Sequence, residues 1–231
     1  MRLPLGLVNL VLRVGVRGPL SRIATPQDLR HRFERDAKLL LRPERGARFE
    51  AVELPGGAGP IQALWTEASA PREERVILYL HGGAYLVGSP QTHRAIAAAL
   101  AKEAGARALL PDYRLAPEHP FPAAVEDALA AYRWLLERYP AHRIALAGES
   151  AGGGLLFATL LAAQTEGLAM PAAAAAFSPF ADMTLSGESY RRNARREVML
   201  PSERAEEAVG YYLQGADPAD PLASPAHGTF K

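Results

Sequence analysis

One stretch constrains the fold more than any other: between residues 143 and 164, a short apolar segment passes through a glycine-rich turn into a longer apolar one. The turn reads Gly-Glu-Ser-Ala-Gly, with Ser150 at its centre between Gly148 and Gly152. A strand, a sharp turn and a helix in this order predict a serine in a strained backbone conformation, with its hydroxyl clear of the sheet. The two glycines meet the need for small residues where strand and helix crowd together. The alternative interpretation is a helix that begins at an ordinary turn, with Ser150 as its N-cap.

Strands and helices alternate through most of the chain. Apolar runs predict strands over residues 75–80, 106–110 and 172–177, and helical periodicity predicts helices over 91–102, 123–139 and 201–213. In the first of these helices, Ile96 and Leu100 lie four residues apart on the predicted apolar face, with small alanines around them. From Ala181 to the helix over 201–213, the chain reads as polar and irregular. An antiparallel hairpin over 48–54 and 61–66 is predicted at one edge of the sheet. We therefore expect an α/β fold with a mostly parallel sheet and helices on both faces. Functional sites in such sheets lie at the carboxyl ends of the strands.

The N-terminal residues 1–45 read as helical. Thr25 is a suitable N-cap and Pro26 suits the first helical position. The apolar segment from Leu3 to Val16 is too short to span a membrane, so we expect no stable membrane insertion. We expect this segment to dock on the protein's own surface. An export signal and adsorption to a membrane surface are the alternatives.

Composition excludes several classes of function. The 231 residues include 26 Lys and Arg against 25 Asp and Glu, without a basic block among aromatic residues, so nucleic acid is not an expected partner. The absence of cysteine excludes a disulfide framework, a thiol nucleophile and cysteine-type zinc sites, and it favours a cytoplasmic location. The six histidines are scattered along the chain, so we do not expect a histidine-rich metal site.

A second glycine motif, His81-Gly82-Gly83-Ala84-Tyr85, follows directly on the predicted strand 75–80. A serine nucleophile needs preorganised donors for the oxyanion that forms when it attacks a carbonyl group. In an α/β sheet of this kind, backbone amides of such a loop and of the residue after the serine provide them. The predicted oxyanion hole comprises the amides of Gly83 and Ala84, shaped by Gly82, with that of Ala151. The alternative is an ordinary tight turn between a strand and a helix.

These motifs together resemble the hormone-sensitive lipase-like family of α/β-hydrolase carboxylesterases. They extend in family order from residue 81 almost to the last residue. The matching stretches are His81-Gly82-Gly83-Ala84-Tyr85, Asp112-Tyr113-Arg114-Leu115-Ala116-Pro117-Glu118, Gly148-Glu149-Ser150-Ala151-Gly152-Gly153, Ser178-Pro179-Phe180-Ala181-Asp182 and Asp220-Pro221-Leu222-Ala223-Ser224-Pro225.

The resemblance implies an α/β-hydrolase core over residues 46–231 and a cap over the substrate pocket. Residues 1–45 would form part of that cap, and an insertion over 182–214 would contribute to it. The implied activity is hydrolysis of a small-molecule ester, with short acyl chains favoured, through attack by Ser150. The resemblance implies neither a metal nor an organic cofactor. A non-catalytic small-molecule binding protein, an amide or formamide hydrolase and a degenerate product without function are the alternatives, and an oligomer is possible.

Two departures from the family pattern bear on the expected activity. Ala84 replaces the third glycine of the family's first motif; its amide remains, while its methyl group narrows the acyl pocket. The family places its triad acid and base after the serine, but the only histidine downstream of Ser150 is His227. His227 lies in a turn where the family has no base, and Asp182 and Asp220 match positions with structural roles. If Lys231 is the true end of the chain, we expect its C-terminal strands to be missing and its turnover to be low.

Other side chains receive structural interpretations. Arg114 and Glu118 are spaced to pair with each other and hold their loop. Glu149 is expected to orient its neighbours beside the turn, and His81 to brace the glycine loop. Surface positions are predicted for His31, His93 and His142. Tyr85, Leu86, Phe177 and Phe180 are interpreted equally well as pocket lining or as core.

Overall fold

The computed structural model describes residues 4–21, 25–67 and 74–230. Within these residues a six-stranded sheet has the order β1-β2-β4-β3-β5-β6. Its strands are β1 (Arg48–Leu54), β2 (Ile61–Glu67), β3 (Val76–Leu80), β4 (Arg107–Pro111), β5 (Ile144–Glu149) and β6 (Ala173–Phe177). β1 pairs antiparallel with β2 and β2 with β4, whereas β4, β3, β5 and β6 run parallel to one another. The predicted edge hairpin and the mostly parallel sheet are both confirmed.

The helices are α1 (Leu5–Leu12), α2 (Gly18–Leu20), α3 (Pro26–Leu40), α4 (Pro90–Ala104), α5 (Ala123–Leu136), α6 (Ala151–Thr165), α7 (Glu188–Asn193) and α8 (Ser202–Leu213). A π-helical turn over Arg13–Arg17 joins α1 to α2. Thr25 caps α3 as predicted, because its hydroxyl accepts the backbone N–H of Asp28. The short helix α7 lies in a stretch that the sequence predicts to be irregular, so that prediction was wrong.

The sheet carries helices on both faces, and successive side chains of β3 show how. Leu78 and Leu80 pack into the larger apolar cluster with residues of α5 and α6. Ile77 and Tyr79 point to the opposite face and pack into a second cluster with alanines of α4. Every residue of β3 is buried, as its continuous apolar run predicts.

Helix α4 buries small residues instead of the large ones that the sequence suggests. Ile96, predicted to lie on the apolar face with Leu100, is 49% exposed. Ala97, Ala98 and Ala101 form the buried face. Alanines suit this position because α4 contacts both β2 and β4 closely, leaving little room for a branched side chain.

The N-terminal segment contacts the rest of the protein through its arginines. Arg17 donates to the carbonyl groups of Ala194 and Glu197, and Arg13 donates to that of Arg195 at 3.5 Å. No residue of α1 is buried. Within Leu3–Val16, the described hydrogen bond to the rest of the protein is that of Arg13, and no side chain of α1 is buried, so the docking of this segment stays a prediction. Leu3 lies outside the described residues. Over residues 4–21, 25–67 and 74–230, no helix combines the length and the apolar character of a membrane-spanning segment.

Candidate active site

Ser150 adopts the strained conformation that its motif predicts. It lies between β5 and α6 with φ 52° and ψ −121°. Its N–H donates to the carbonyl oxygen of Phe177 at 3.0 Å, and its own carbonyl oxygen accepts the N–H groups of Phe180 and Gly154. A non-glycine residue at positive φ costs about 1–3 kcal/mol and persists only where its surroundings fix it. These hydrogen bonds from the end of β6 and from α6 provide that constraint.

The glycines of the elbow, residues 148–152, are required by close backbone packing. A methyl group on Gly152 would lie 2.0 Å from the carbonyl oxygen of Leu80. One on Gly148 would lie 2.5 Å from the carbonyl oxygen of Gly152. Since backbone atoms cannot give way as a flexible side chain does, only glycine fits at either position. The steric argument made from the sequence is confirmed.

The oxyanion loop, residues 81–85, lies directly against the elbow. A methyl group on Gly82 would lie 3.3 Å from the Cβ of Ser150. The loop turns sharply, with φ values of 126° at Gly83, 55° at Ala84 and 61° at Tyr85. The carbonyl oxygen of Gly83 accepts the N–H groups of the two residues after the loop. Among the described residues, the N–H groups of Gly83 and Ala84 donate to no protein acceptor, so both are available to a ligand beside Ser150.

Glu149 joins the elbow to the oxyanion loop. Its Oε1 accepts the backbone N–H of Gly82 at 2.5 Å and lies 3.0 Å from Nε2 of His93. Its Oε2 accepts the hydroxyl of Tyr79. Burial acts to raise the pKa of Glu149, but the hydrogen bonds from His93, Tyr79 and Gly82 outweigh it and hold the pKa below its usual value. The carboxylate is therefore ionised and orients its neighbours, as expected.

His81 braces the oxyanion loop from within the protein. Its ring stacks on Tyr113 at 4.2 Å and on His93 at 5.2 Å between centroids. The Tyr113 hydroxyl donates to the carbonyl oxygen of His81 at 2.6 Å. Burial lowers the pKa of His81 to about 3, so the ring is neutral at physiological pH. A buried neutral imidazole between two rings fits the predicted bracing role.

His93 does not lie on the surface, and this prediction was wrong. Its side chain is 11% exposed, because the ring lies against Glu149 and stacks on His81 of the oxyanion loop. There the His93 ring contacts Glu149 and packs 5.9 Å from the ring of Phe33. Its position four residues after the helix cap Ser89 places it in the first turn of α4, which is the signal that could have indicated the contact. His31 and His142 are exposed as predicted.

Arg114 and Glu118 do not pair with each other, which corrects another prediction. Arg114 binds the buried Asp127 of α5, with its Nη2 2.9 Å from Asp127 Oδ1. Glu118 binds Arg30 of α3 at 2.6 Å. The hydrogen bond from Arg30 lowers the pKa of Glu118 to about 2. Both partners lie on helices outside the loop, 13 residues after Arg114 and 88 residues before Glu118, so the local spacing of Arg114 and Glu118 was misleading.

His227 pairs with Asp182 and not with Ser150. Its Nε2 lies 3.4 Å from Asp182 Oδ1, which also accepts the N–H of Thr184. Burial acts to raise the pKa of Asp182, but hydrogen bonds from Thr184, Ser186 and His227 lower it to about 2. The N–H of Ala226 donates to the carbonyl oxygen of Ala181, which joins the same two segments. These hydrogen bonds join residues 181–186 to residues 225–227, which indicates a structural role for His227 and Asp182.

The aromatic side chains near the loop divide into buried and exposed ones. Tyr85 is buried and stacks on Tyr212 of α8 at 3.9 Å between centroids. Leu86 is also buried, so the core interpretation is correct for Tyr85 and Leu86, whereas Phe180 is only partly buried against the core. Phe177 is 53% exposed at the end of β6.

The described residues include no cluster of three His, Asp or Glu side chains able to hold a metal ion.

Comparisons with known proteins show that this chain has relatives of known family and structure. A family model described as the alpha/beta hydrolase fold matches residues 77–231. An acetyl-hydrolase of Streptomyces hygroscopicus is 49% identical over 185 residues, which are 78% of this chain and 62% of that protein. The chain therefore spans less than two thirds of the length of this relative.

Two solved structures are similar over nearly the whole chain. The crystal structure of EstE5 soaked with p-nitrophenyl butyrate superposes with a TM-score of 0.89 at 38% identity, covering 98% of this chain and 74% of that one. An esterase from the bacterial hormone-sensitive lipase family superposes with a TM-score of 0.88 at 40% identity, covering 99% and 75% respectively. At this level of identity and coverage, this chain shares its fold with both structures.

Proposed function

The chain belongs to the hormone-sensitive lipase-like family of α/β hydrolases, and from that premise we propose that it hydrolyses short-chain carboxylic esters by acyl transfer to Ser150. The observation that carries the proposal is the contact between elbow and oxyanion loop. In this contact the strained Ser150 lies against Gly82, and the N–H groups of the next two residues, Gly83 and Ala84, donate to no acceptor among the described residues. A nucleophile and oxyanion donors at one edge of a sheet are the elements that acyl transfer requires.

In the proposed reaction, Ser150 Oγ adds to the ester carbonyl carbon while its proton passes to a general base. The carbonyl oxygen becomes an oxyanion, which the N–H groups of Gly83, Ala84 and Ala151 stabilise. Collapse of this intermediate breaks the bond to the alcohol, which leaves with a proton. Water then adds to the acyl-serine, releasing the acid and restoring the hydroxyl. We do not assign the base to His227, because its side chain bonds to Asp182 and no hydrogen bond to Ser150 is found among the described residues.

We also propose that residues 1–45 and 182–214 form a cap over the substrate pocket. Contacts between these segments and the site support this. Arg30 of α3 donates to the carbonyl oxygens of Leu86, next to the oxyanion loop, and Ala116, both at 2.6 Å. Tyr212 of α8 stacks on Tyr85 within the loop. Helix α3 thus contacts the residue after the oxyanion loop, and helix α8 contacts Tyr85 within the loop.

A preference for short acyl groups is supported by two observations. Ala84 carries a methyl group where the family motif has a third glycine, which reduces the space beside the carbonyl carbon. The Streptomyces relative, at 49% identity, is named an acetyl-hydrolase. The cytoplasmic location and the oligomeric state remain predictions.

Hydrolysis of p-nitrophenyl esters from acetate to octanoate, beside the matching anilides, tests the proposal. We expect ester cleavage to be fastest with the shortest acyl groups and to be lost in Ser150→Ala. The exposed Ser189→Ala is the matched control and should retain the wild-type rate. Equal rates in wild type and Ser150→Ala would overturn the assignment of the nucleophile. Faster cleavage of the anilides would favour an amide hydrolase.

A further inference from the structure

We propose that Glu149 is a positioning residue whose carboxylate holds the oxyanion loop at a fixed place relative to Ser150. This inference rests on the proposed function, because a fixed loop matters most if Gly83 and Ala84 receive an oxyanion. Glu149 precedes Ser150 in the chain, and Gly82 precedes Gly83. The hydrogen bond from Gly82 N–H to Glu149 Oε1, at 2.5 Å, therefore joins the residue before the nucleophile to the residue before the first donor.

The carboxylate collects donors from three separate elements. Gly82 belongs to the oxyanion loop, Tyr79 to β3 and His93 to the first turn of α4. A carboxylate has two oxygens that only accept hydrogen bonds, and charge-assisted bonds are stronger than those between neutral groups. A glutamine at this position would offer one accepting oxygen and would direct an NH₂ group at a donor. The site is therefore suited to an ionised side chain of this length.

The same bond selects which amides remain for substrate. Since Gly82 N–H is engaged by Glu149, the donors that face a ligand are those of Gly83 and Ala84. Ala84 has a positive φ, and in a residue other than glycine such a conformation persists only where the surroundings fix it. Glu149 fixes the start of the loop, and Arg30 fixes its far side through the carbonyl oxygen of Leu86. Without the hydrogen bond between Gly82 and Glu149, the N–H groups of Gly83 and Ala84 would no longer be held in fixed positions.

Two variants separate positioning from folding. Glu149→Gln alters the acceptor of Gly82, whereas Tyr79→Phe removes another partner of the same carboxylate and leaves the Gly82 bond in place. In ¹H–¹⁵N spectra of the full chain, we expect the Gly82 amide proton to move upfield in Glu149→Gln. The amides of Gly83 and Ala84 should move with it, and all three should change much less in Tyr79→Phe.

The second readout is the labelling of Ser150 by an alkyl fluorophosphonate, in which a P–O bond forms and fluoride leaves. We expect Glu149→Gln to lower the limiting labelling rate by about tenfold, less than the loss of an oxyanion donor itself. The reagent concentration at half-maximal rate should be unchanged. Tyr79→Phe should label within about twofold of wild type, because the loop keeps its anchor.

Unmoved Gly83 and Ala84 amides, or a wild-type labelling rate, in a folded Glu149→Gln would overturn the inference. If that variant does not fold, acid titration of the wild type decides. The three amides should then shift together with a midpoint below 4.5, the usual pKa of Glu, and independent behaviour would overturn the inference. A wild type that fluorophosphonate does not label would refute the proposed function. The amide shifts would still show whether Glu149 holds the loop.

Discussion

The elbow and the N-terminal segment over residues 4–21 are held to the protein in opposite ways. At the elbow, backbone packs on backbone so closely that a single methyl group on Gly152 would lie 2.0 Å from a carbonyl oxygen. The N-terminal segment leaves Leu5 74% exposed and attaches through arginine side chains that reach carbonyl groups of residues 194–197. The difference teaches that the elbow is fixed by close backbone packing, whereas the first part of the proposed cap, residues 4–21, is attached by a few separable contacts.

The largest effect on the free energy of unfolding is expected for a substitution within the elbow. Gly152→Ala should lower the free energy of unfolding by about 3 kcal/mol, since the overpacked atoms are backbone and cannot move aside. The matched control is Gly210→Ala in α8, where a methyl group meets nothing within 4 Å. That substitution should raise the free energy of unfolding by about 0.5–1 kcal/mol through helix propensity. Urea denaturation compares the two, and equal effects would break the steric account.

A buried ion pair of the loop at 112–122 should give an intermediate effect. Asp127→Asn leaves Arg114 without its buried partner and should lower the free energy of unfolding by about 2 kcal/mol. Glu126→Gln removes the exposed partner of the same arginine and should cost less than about 0.5 kcal/mol. Thermal and urea unfolding of both variants check the ratio. If Glu126→Gln were as damaging as Asp127→Asn, burial would not be the property that distinguishes them.

The smallest effect is expected where α3 meets the rest of the protein, at Glu118 and Arg30. The pKa of Glu118 is about 2 in the folded protein, below that of the unfolded chain. A lowered pKa stabilises the fold above the unfolded pKa, and this stabilisation is lost as the pH falls through the folded value. Wild type should therefore exceed Glu118→Gln in stability at neutral pH and converge with it between about pH 5 and pH 2. Because the pair is partly exposed, the difference should stay below about 1 kcal/mol.

Unfolding curves of wild type and Glu118→Gln at several pH values measure this difference. A constant gap down to pH 2 would mean that the carboxylate charge does not contribute. High salt provides the control, since screening should reduce the gap at neutral pH for an exposed pair.

The contrast also explains which features the sequence could predict. Gly148, Gly152 and the oxyanion loop were readable because steric demands act within a few residues of chain. The alternation of strands and helices predicted the parallel sheet, because a helix between two strands allows the chain to cross back and run in the same direction. Ile96 was misassigned because periodicity does not show that the closely packed face of α4 admits only alanine.

The partners of polar side chains were less predictable. Arg114 and Glu118 look complementary along the chain, yet α5 and α3 supply their partners from elsewhere in the fold. His93 looks like a surface residue until the first turn of α4 is placed beneath the loop. Glu149 was correctly expected to orient neighbours, but its bond to Gly82 depends on two strands meeting side by side.

The central claim, that Ser150 is a nucleophile beside a formed oxyanion hole, is tested most directly by covalent labelling. Wild type, Ser150→Ala and Ser189→Ala are treated with an alkyl fluorophosphonate, digested and examined by mass spectrometry. We predict one adduct on the peptide containing Ser150 in wild type and in Ser189→Ala, and none in Ser150→Ala. An unmodified wild type, or an adduct that persists in Ser150→Ala, would contradict the account.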